Sequence, residues 1–280
     1  MAGIAWINGK LLPPEQPAIS PLDPGFLYGE GLFETMRAYR GKVFRLPQHL
    51  DRLFAGAEEL NLTPPDRDYI TRAVEEALAA SELRDASVRL TLTPGPAGSS
   101  SPTLVILVRP LSLPPRELYE RGCLAICVPA ACVRETPLRR VKSLNYLANL
   151  LAQREAARTG AHEAIFVDPD GCVIEGAMRN IFAVINGELI TPPLSRGLLP
   201  GITRAAVLEI APDQDIPHAS RDLPLTELHT ADEAFLTSSL AEILPVAAVD
   251  DHTMVAPAPG PITRTLTQAY RSLVASELGL

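Results

Sequence analysis

Four patches of this 280-residue chain carry side chains able to do chemistry. In Arg139-Arg-Val-Lys-Ser-Leu-Asn-Tyr146, Lys142 falls where a short strand ends and a helix starts near Asn145, a boundary that fixes a side chain more firmly than a loop. A partly buried amine loses its proton more easily and can form a Schiff base; a solvated basic run beside two arginines is the plainer alternative. In Val173-Ile-Glu-Gly-Ala-Met-Arg-Asn-Ile-Phe182, Glu175 ends one strand and Asn180 starts the next, across a tight turn at Gly176. A carboxylate placed there can reach into a cleft and favour protonation of a facing heterocyclic nitrogen, or it can lie in water as an ordinary turn residue. Leu199-Pro-Gly-Ile-Thr-Arg-Ala-Ala-Val-Leu208 sets Gly201 before a helix whose first free N–H groups belong to Ile202 and Thr203. With the Thr203 hydroxyl and the positive end of the helix dipole, these form either a phosphate cradle or a Thr-capped helix. In Ala234-Phe-Leu-Thr-Ser-Ser-Leu-Ala-Glu242, three hydroxyls follow an apolar strand and can complete an anion site or make a Ser/Thr turn.

The elements that must position these groups are legible in the periodicity. A first strand, Ala5 to Asn8, runs into Asn8-Gly9, a two-residue hairpin turn signal. The Pro-rich residues 13–24 read as ordered coil, and a strand over 33–39 turns at Arg40-Gly41 into a strand over 42–45. Leu46, Leu50, Leu53, Phe54, Ala57 and Leu60 recur at three- and four-residue steps, which predicts a helix that tolerates Pro47 in its first turn. A second helix is expected over 66–81 and strands over 86–93 and 102–108, joined by a flexible 94–101 loop able to rim a site. Beyond the linker candidate 111–115 come a strand over 124–128, a helix over 145–158 and a strand over 163–167. A hairpin of 181–185 with 188–190 turns at Asn186-Gly187; a helix starts near Ile202, strands cover 234–237 and 246–249, and an amphipathic helix covers 262–278. This order predicts an α+β fold rather than a regular βαβ one. Neither GxGxxG nor GxxxxGK[ST] occurs, since Gly29-Glu-Gly31 lacks the third glycine.

Composition narrows the partners. Lys and Arg number 25 against 33 Asp and Glu, a net charge of −8, which argues against nucleic acid or an anionic membrane as a partner. The purest apolar stretch, Leu104 to Val108, is too short to span a bilayer, and MAGIAWINGK does not read as a signal peptide, so a cytoplasmic protein is expected. Cys123, Cys127, Cys132 and Cys172 lack CxxC spacing and nearby histidine pairs, so no metal site is expected; Cys123 and Cys127 read as small buried side chains.

Taken together and in this order, the patches resemble the class IV aminotransferases, the fold-type IV family of pyridoxal-phosphate (PLP) enzymes that includes branched-chain aminotransferases, D-amino acid aminotransferases and aminodeoxychorismate lyases. The resemblance runs through Asp23-Pro-Gly-Phe-Leu-Tyr-Gly-Glu-Gly-Leu-Phe-Glu-Thr35, Phe44-Arg-Leu-Pro-Gln-His-Leu-Asp-Arg-Leu53, Lys142-Ser-Leu-Asn-Tyr146, Glu175-Gly176 with Asn180, Leu199-Pro-Gly-Ile-Thr-Arg204 and Glu233 to Val246. It implies a two-domain α+β architecture like that of D-amino acid aminotransferase, with a PLP cleft between domains: a small N-terminal domain over 1–112, a linker over 113–120 and a large C-terminal domain over 121–280. It implies that Lys142 holds PLP covalently and moves the proton between substrate Cα and cofactor. Glu175 then faces the pyridine nitrogen, and Arg52, the Ile202 and Thr203 amides, Ser238 and Ser239 hold the phosphate. Tyr146 resembles the tyrosine that hydrogen-bonds the cofactor's phenolic oxygen. A homodimer, with a loop lent by the neighbouring subunit, is implied as well.

Substrate residues follow from the same resemblance. Phe33 stands where D-amino acid aminotransferases of the bacillus type carry a tyrosine, and Tyr28 with Phe33 matches an aromatic wall like that of branched-chain enzymes. Arg89 falls at the branched-chain position that meets glutamate's side-chain carboxylate, with Ser87 where the accompanying tyrosine stands. Met178 and Leu240 are further substrate residues by this resemblance, and Met178 and Arg179 stand where small or hydroxyl residues are common, which would narrow the pocket. The leading expectation is amino transfer between an apolar, branched-chain L-amino acid and 2-oxoglutarate. The alternatives are an aminodeoxychorismate lyase, a D-amino acid or amine transaminase, and a PLP or phosphate binder without turnover.

Overall fold

The computed structural model describes residues 3–16, 19–99, 101–130 and 140–280; Cys132 and Arg139, named above, and Ser100 of the 94–101 loop lie outside them. Two compact units emerge, one of Met1–Ser112, Val141–Asn145 and Glu277–Leu280, the other of Leu113–Arg140 and Tyr146–Ser276.

The first unit holds β1 (Ile4–Ile7), β2 (Lys10–Leu12), α1 (Pro24–Tyr28), β3 (Leu32–Tyr39), β4 (Lys42–Val43), α2 (Leu46–Glu59), α3 (Arg67–Ser81), β5 (Ala86–Thr93) and β6 (Thr103–Pro110). Its strands form one antiparallel sheet in the order β2-β1-β6-β5-β3-β4. The two-residue turn between β1 and β2 has Asn8 and Gly9 both at positive φ, 43° and 88°, as a hairpin matched to the right-handed strand twist requires. Alternation does the sorting. Leu32, Met36 and Ala38 of β3 and Val88, Leu90 and Leu92 of β5 lie in one core with Leu50 and Leu53 of α2 and Ile70 and Val74 of α3. The intervening residues therefore face the opposite side of the sheet.

The coil expected up to residue 24 gives way to α1, because Asp23 is its N-cap and Pro24 its first residue. The buried Asp23 carboxylate accepts from the Gly25 N–H (2.8 Å) and from the Thr93 and Thr103 hydroxyls (2.8 and 2.7 Å).

The second unit contains α4 (Arg116–Arg121), β7 (Cys123–Pro129), α5 (Leu147–Arg158), β8 (Glu163–Val167), β9 (Val173–Gly176), β10 (Asn180–Ile185), β11 (Glu188–Thr191), α6 (Ile202–Ile210), β12 (His218–Ser220), α7 (Leu225–His229), β13 (Glu233–Ser238), β14 (Glu242–Val249), β15 (His252–Thr253) and most of α8 (Pro261–Leu278). Its nine-stranded sheet runs β12-β11-β10-β13-β14-β7-β8-β9, with β15 on β14. Most pairs are antiparallel; β7 is parallel to β8 and to β14, and β11 to β12. Parallel neighbours need crossovers, and α5 and α6 lie on two of them. Helix α4 begins at Arg116, within the 113–120 stretch read as linker, and ends at Arg121. At the start of α8, Glu233 accepts from the Ile262 and Thr263 N–H groups (2.9 and 2.8 Å), a cap supplied from a distant strand.

Candidate active site

In the first unit, adjacent residues of β3 serve opposite faces. Glu34 shares the helix face with Leu32 and Met36, and there it meets α2, whose His49 and Arg52 stand one turn apart. Arg52 donates from Nε and Nη2 to the two Glu34 oxygens (2.8 and 2.6 Å), and His49 Nδ1 lies 2.6 Å from Oε2. The side chains of Glu34 and His49 are each 1% exposed and that of Arg52 9%. Burial alone would raise the Glu34 pKa, but the Arg52 charge and the hydrogen bonds from both partners outweigh it and bring it down to about 2. Burial lowers His49, so the ring is neutral near pH 7 and Nδ1–H is the donor.

On the other face, Phe33 gathers two cations. The Arg89 guanidinium carbon lies 3.9 Å from its ring centroid and Lys142 Nζ 4.5 Å from the same centroid. Arg89 reaches this face because β5 pairs it with Thr35, two places along from Phe33. Lys142 reaches it through the main chain. The Phe33 N–H donates to the Lys142 carbonyl and the Leu144 N–H to the Gly31 carbonyl, both at 2.9 Å. This apposition needs glycine at 31, where a Cβ would sit 2.5 Å from the Leu92 carbonyl oxygen. Asn145 Nδ2 donates to the Gly29 carbonyl (3.0 Å), and Tyr28, at the end of α1, is 74% exposed.

In the second unit, Glu175 near the end of β9 accepts from the Leu199 N–H (3.3 Å to each oxygen) and from Asn180 Nδ2 (3.1 Å). Asn180 Nδ2 also donates to the Leu199 carbonyl (2.9 Å), which ties the glutamate to the approach to α6. A Cβ at Gly201 would lie 1.9 Å from Asn180 Oδ1, so only glycine admits this contact. The N-terminus of α6 has no side-chain cap. Beside it, two buried hydroxyls find no hydrogen-bond partner among the described residues: Thr203 on the first turn of α6, and Thr237 on β13, directly across the ladder from Asn180. Each residue is 2% exposed. The Ser238 hydroxyl accepts from the Ala241 N–H (3.3 Å); Ser239 and Leu240 form the half-buried turn after β13. Tyr146 donates to the Ala177 carbonyl (3.2 Å), which also receives Asn149 (2.7 Å).

The sequence model of the family described as Amino-transferase class IV matches residues 31–249. This chain belongs to the class IV aminotransferases. The family is one of pyridoxal-phosphate-dependent enzymes with the fold-type IV architecture. A Methanocaldococcus jannaschii protein provisionally named a branched-chain-amino-acid aminotransferase is 38% identical over 96% of this chain and 95% of its own. Staphylococcus haemolyticus D-alanine aminotransferase is 31% identical over 97% of this chain and 98% of its own. For Bacillus subtilis aminodeoxychorismate lyase the figures are 32%, 88% and 86%. Among solved structures, Escherichia coli branched-chain amino acid aminotransferase superposes with a TM-score of 0.90 at 30% identity, covering 99% of this chain and 96% of that one. A PLP-bound hypothetical aminotransferase from Mycobacterium tuberculosis gives 0.87 at 28%, covering 98% and 99%. No helix of the described residues is long and apolar enough to cross a membrane.

Within this class IV chain, the structure brings Lys142, Phe33 and Arg89 together in one unit, and Glu175 and the start of α6 together in the other. Sequence reasoning missed Glu34 and His49 as partners of Arg52. The signal was available: His49 and Arg52 are three apart on one helical face, opposite an acidic residue in a strand of otherwise apolar inward positions. Arg179 is engaged within the second unit. It makes a short ion pair with the fully buried Glu163, which also accepts from the Met178 N–H (2.8 Å). Burial raises the Glu163 pKa, and Arg179 opposes that rise.

Proposed function

We propose that this class IV aminotransferase binds PLP and exchanges the amino group of an apolar, branched-chain L-amino acid with 2-oxoglutarate. The observation that carries the reading is the pair of cations on Phe33: an amine able to hold cofactor and move a proton, and a guanidinium close to the same ring. An amino donor with an apolar side chain packs on the Phe33 ring, while glutamate or 2-oxoglutarate sets its second carboxylate on Arg89 through charge-assisted hydrogen bonds. The identity to the archaeal relative supports the branched-chain choice over the others.

The donor set fits the cofactor. Two orphaned hydroxyls, a glycine cradle and an uncapped helix start offer what a phosphate takes up. Thr203, the Ile202 and Thr203 amides, Thr237, Ser238 and Ser239 would hold that phosphate, with Arg52 kept in one orientation by Glu34. Glu175, fixed by Leu199 and Asn180, would hold a proton on the ring nitrogen. When bound, PLP supplies an electron-accepting ring for the pair released as the substrate Cα–H bond breaks. Lys142 would carry the cofactor covalently and take that proton, Tyr146 would lie at the phenolic oxygen, and Tyr28, Met178 and Leu240 would border the side chain. Anchoring at the phosphate fixes orientation far from the reacting carbon.

We further read the protein as a cytoplasmic homodimer. Cys123, Cys127 and Cys172 are free thiols, which suits a reducing compartment. Exposed Phe26 (75%) and Tyr28 on α1, and exposed Leu147, Leu150 and Leu151 on α5, are apolar surface of the kind a second copy covers.

The test is a panel of L-leucine, D-alanine and 4-amino-4-deoxychorismate with 2-oxoglutarate. Glutamate formed from L-leucine alone supports the reading. Release of pyruvate and p-aminobenzoate from the last substrate, or turnover of D-alanine alone, overturns it, and a protein whose absorbance responds to no amine is a binder without turnover.

A further inference from the structure

A second constellation sits in the second unit, on residues the transamination reading does not use. The β14–β15 hairpin turns at Asp250, whose φ is 52°. Its Oδ1 accepts from the Cys127 N–H of β7 (2.8 Å), and its Oδ2 lies 3.1 Å from Nε2 of His229, the last residue of α7. A ligand atom from each of Cys127, His229 and Asp250 lies within 4.8 Å of the other two. The His252 ring stacks on that of His229, centroids 3.9 Å apart and planes within 7°, and covers one imidazole face.

This is not an activated thiol. Burial and the adjoining Asp250 carboxylate both push the Cys127 thiol up, and the imidazole bonds to the carboxylate rather than serving the sulfur as a base. What the three groups share is proximity. Zinc ligands at about 2.0–2.3 Å from a tetrahedral ion stand roughly 3.3–3.7 Å apart, so small side-chain movements would close this set. A thiolate and a carboxylate balance a divalent charge, and with Cys127 and His229 half-buried and Asp250 exposed, a fourth position is open to water.

We propose that Cys127, His229 and Asp250 form a zinc site, separate from the residues assigned to transamination, that clamps the β14–β15 turn to β7 and the end of α7. Binding releases the thiol proton to solvent, and the His229 Nε2 proton moves to Nδ1, which frees Nε2 for the ion. The cysteine spacing in the sequence excluded a local motif only, because His229 and Asp250 lie about a hundred residues downstream and arrive through the fold.

The experiment is cobalt titration of the chelator-treated, PLP-loaded protein without added amino acid, followed by displacement with Zn2+. One Co2+ per chain is expected, with thiolate-to-cobalt charge-transfer absorbance and the strong visible bands of tetrahedral coordination. Cys127→Ser should abolish the charge-transfer band, and Asp250→Asn and His229→Gln should each weaken binding at least about tenfold. Zinc should raise the melting temperature of the wild type and leave that of Cys127→Ser unmoved. Circular dichroism of the metal-free variants checks folding, and Asp250→Asn carries the test if Cys127→Ser does not fold. Absence of the charge-transfer band, or its persistence in Cys127→Ser, would overturn the site and leave Asp250 as a hydrogen-bonded staple of the hairpin.

Discussion

The Glu34–His49–Arg52 cluster and the start of α6 are both buried, polar and near residues assigned to the cofactor, yet they are built on opposite plans. In the first, both carboxylate oxygens are engaged by an arginine and a neutral histidine. In the second, Thr203 and Thr237 keep buried hydroxyls with no partner among the described residues, next to an uncapped helix N-terminus. A buried polar atom left unsatisfied costs about 1–3 kcal/mol, a cost that a phosphate accepting from these two hydroxyls would remove. The contrast separates groups that hold the protein together from groups that wait for something to hold.

That contrast can be broken at its reference point first. Lys142→Ala should lower transamination about a thousandfold or more, with little change in the stability of the cofactor-free protein. Steady-state rates and a urea melt read the two effects separately.

Glu34→Ala should do the reverse of a ligand-site change. It leaves the Arg52 charge buried without its carboxylate and should cost the cofactor-free protein about 3–5 kcal/mol of unfolding free energy, measured by urea denaturation. The pH dependence sharpens the point. Because the folded Glu34 pKa lies near 2 against an ordinary 4.5, its stabilisation is fully present above pH 4.5 and is lost as pH falls through 2. Glu34→Gln should remove that part of the acid transition, which melting curves between these limits would register.

The smallest effect belongs to the cradle. Thr203→Val replaces an orphaned hydroxyl by a methyl of the same shape and should leave the cofactor-free protein as stable as before. Affinity for PLP should fall about tenfold to a hundredfold, the worth of one hydrogen bond to a charged group, as read by fluorescence titration. A loss of stability equal to that of the Glu34 variant would erase the distinction between the two regions.

Much of the scaffold was legible because period alone specifies it. Leu46 to Leu60 announces α2, Asn8-Gly9 announces the first hairpin, and strands 86–93 and 163–167 alternate or run apolar as their burial demands. Short elements were not. Helix α1 is five residues long and rests on an Asp-Pro start whose stabilising hydroxyls, Thr93 and Thr103, come from two other strands. The candidate site divides the same way. Lys142, Glu175 and the Gly201 helix start stand out by local context and by their resemblance to a family. Partnerships such as Glu34 with Arg52, Glu163 with Arg179, or Asp250 with Cys127 depend on separations that only the tertiary fold closes.

The alternation of β3 has a consequence for anyone redesigning this enzyme. Positions 33 and 34 are neighbours in the chain but belong to opposite faces of the sheet, one carrying the ring that gathers Arg89 and Lys142 and the other facing a helix. Substitution at 33 can therefore be explored for new specificity while the anchoring acid beside it stays where it is. Inserting a single residue earlier in the strand would trade the two, delivering a carboxylate to the face of Arg89 and Lys142 and an aromatic ring to a space shaped for an ion pair.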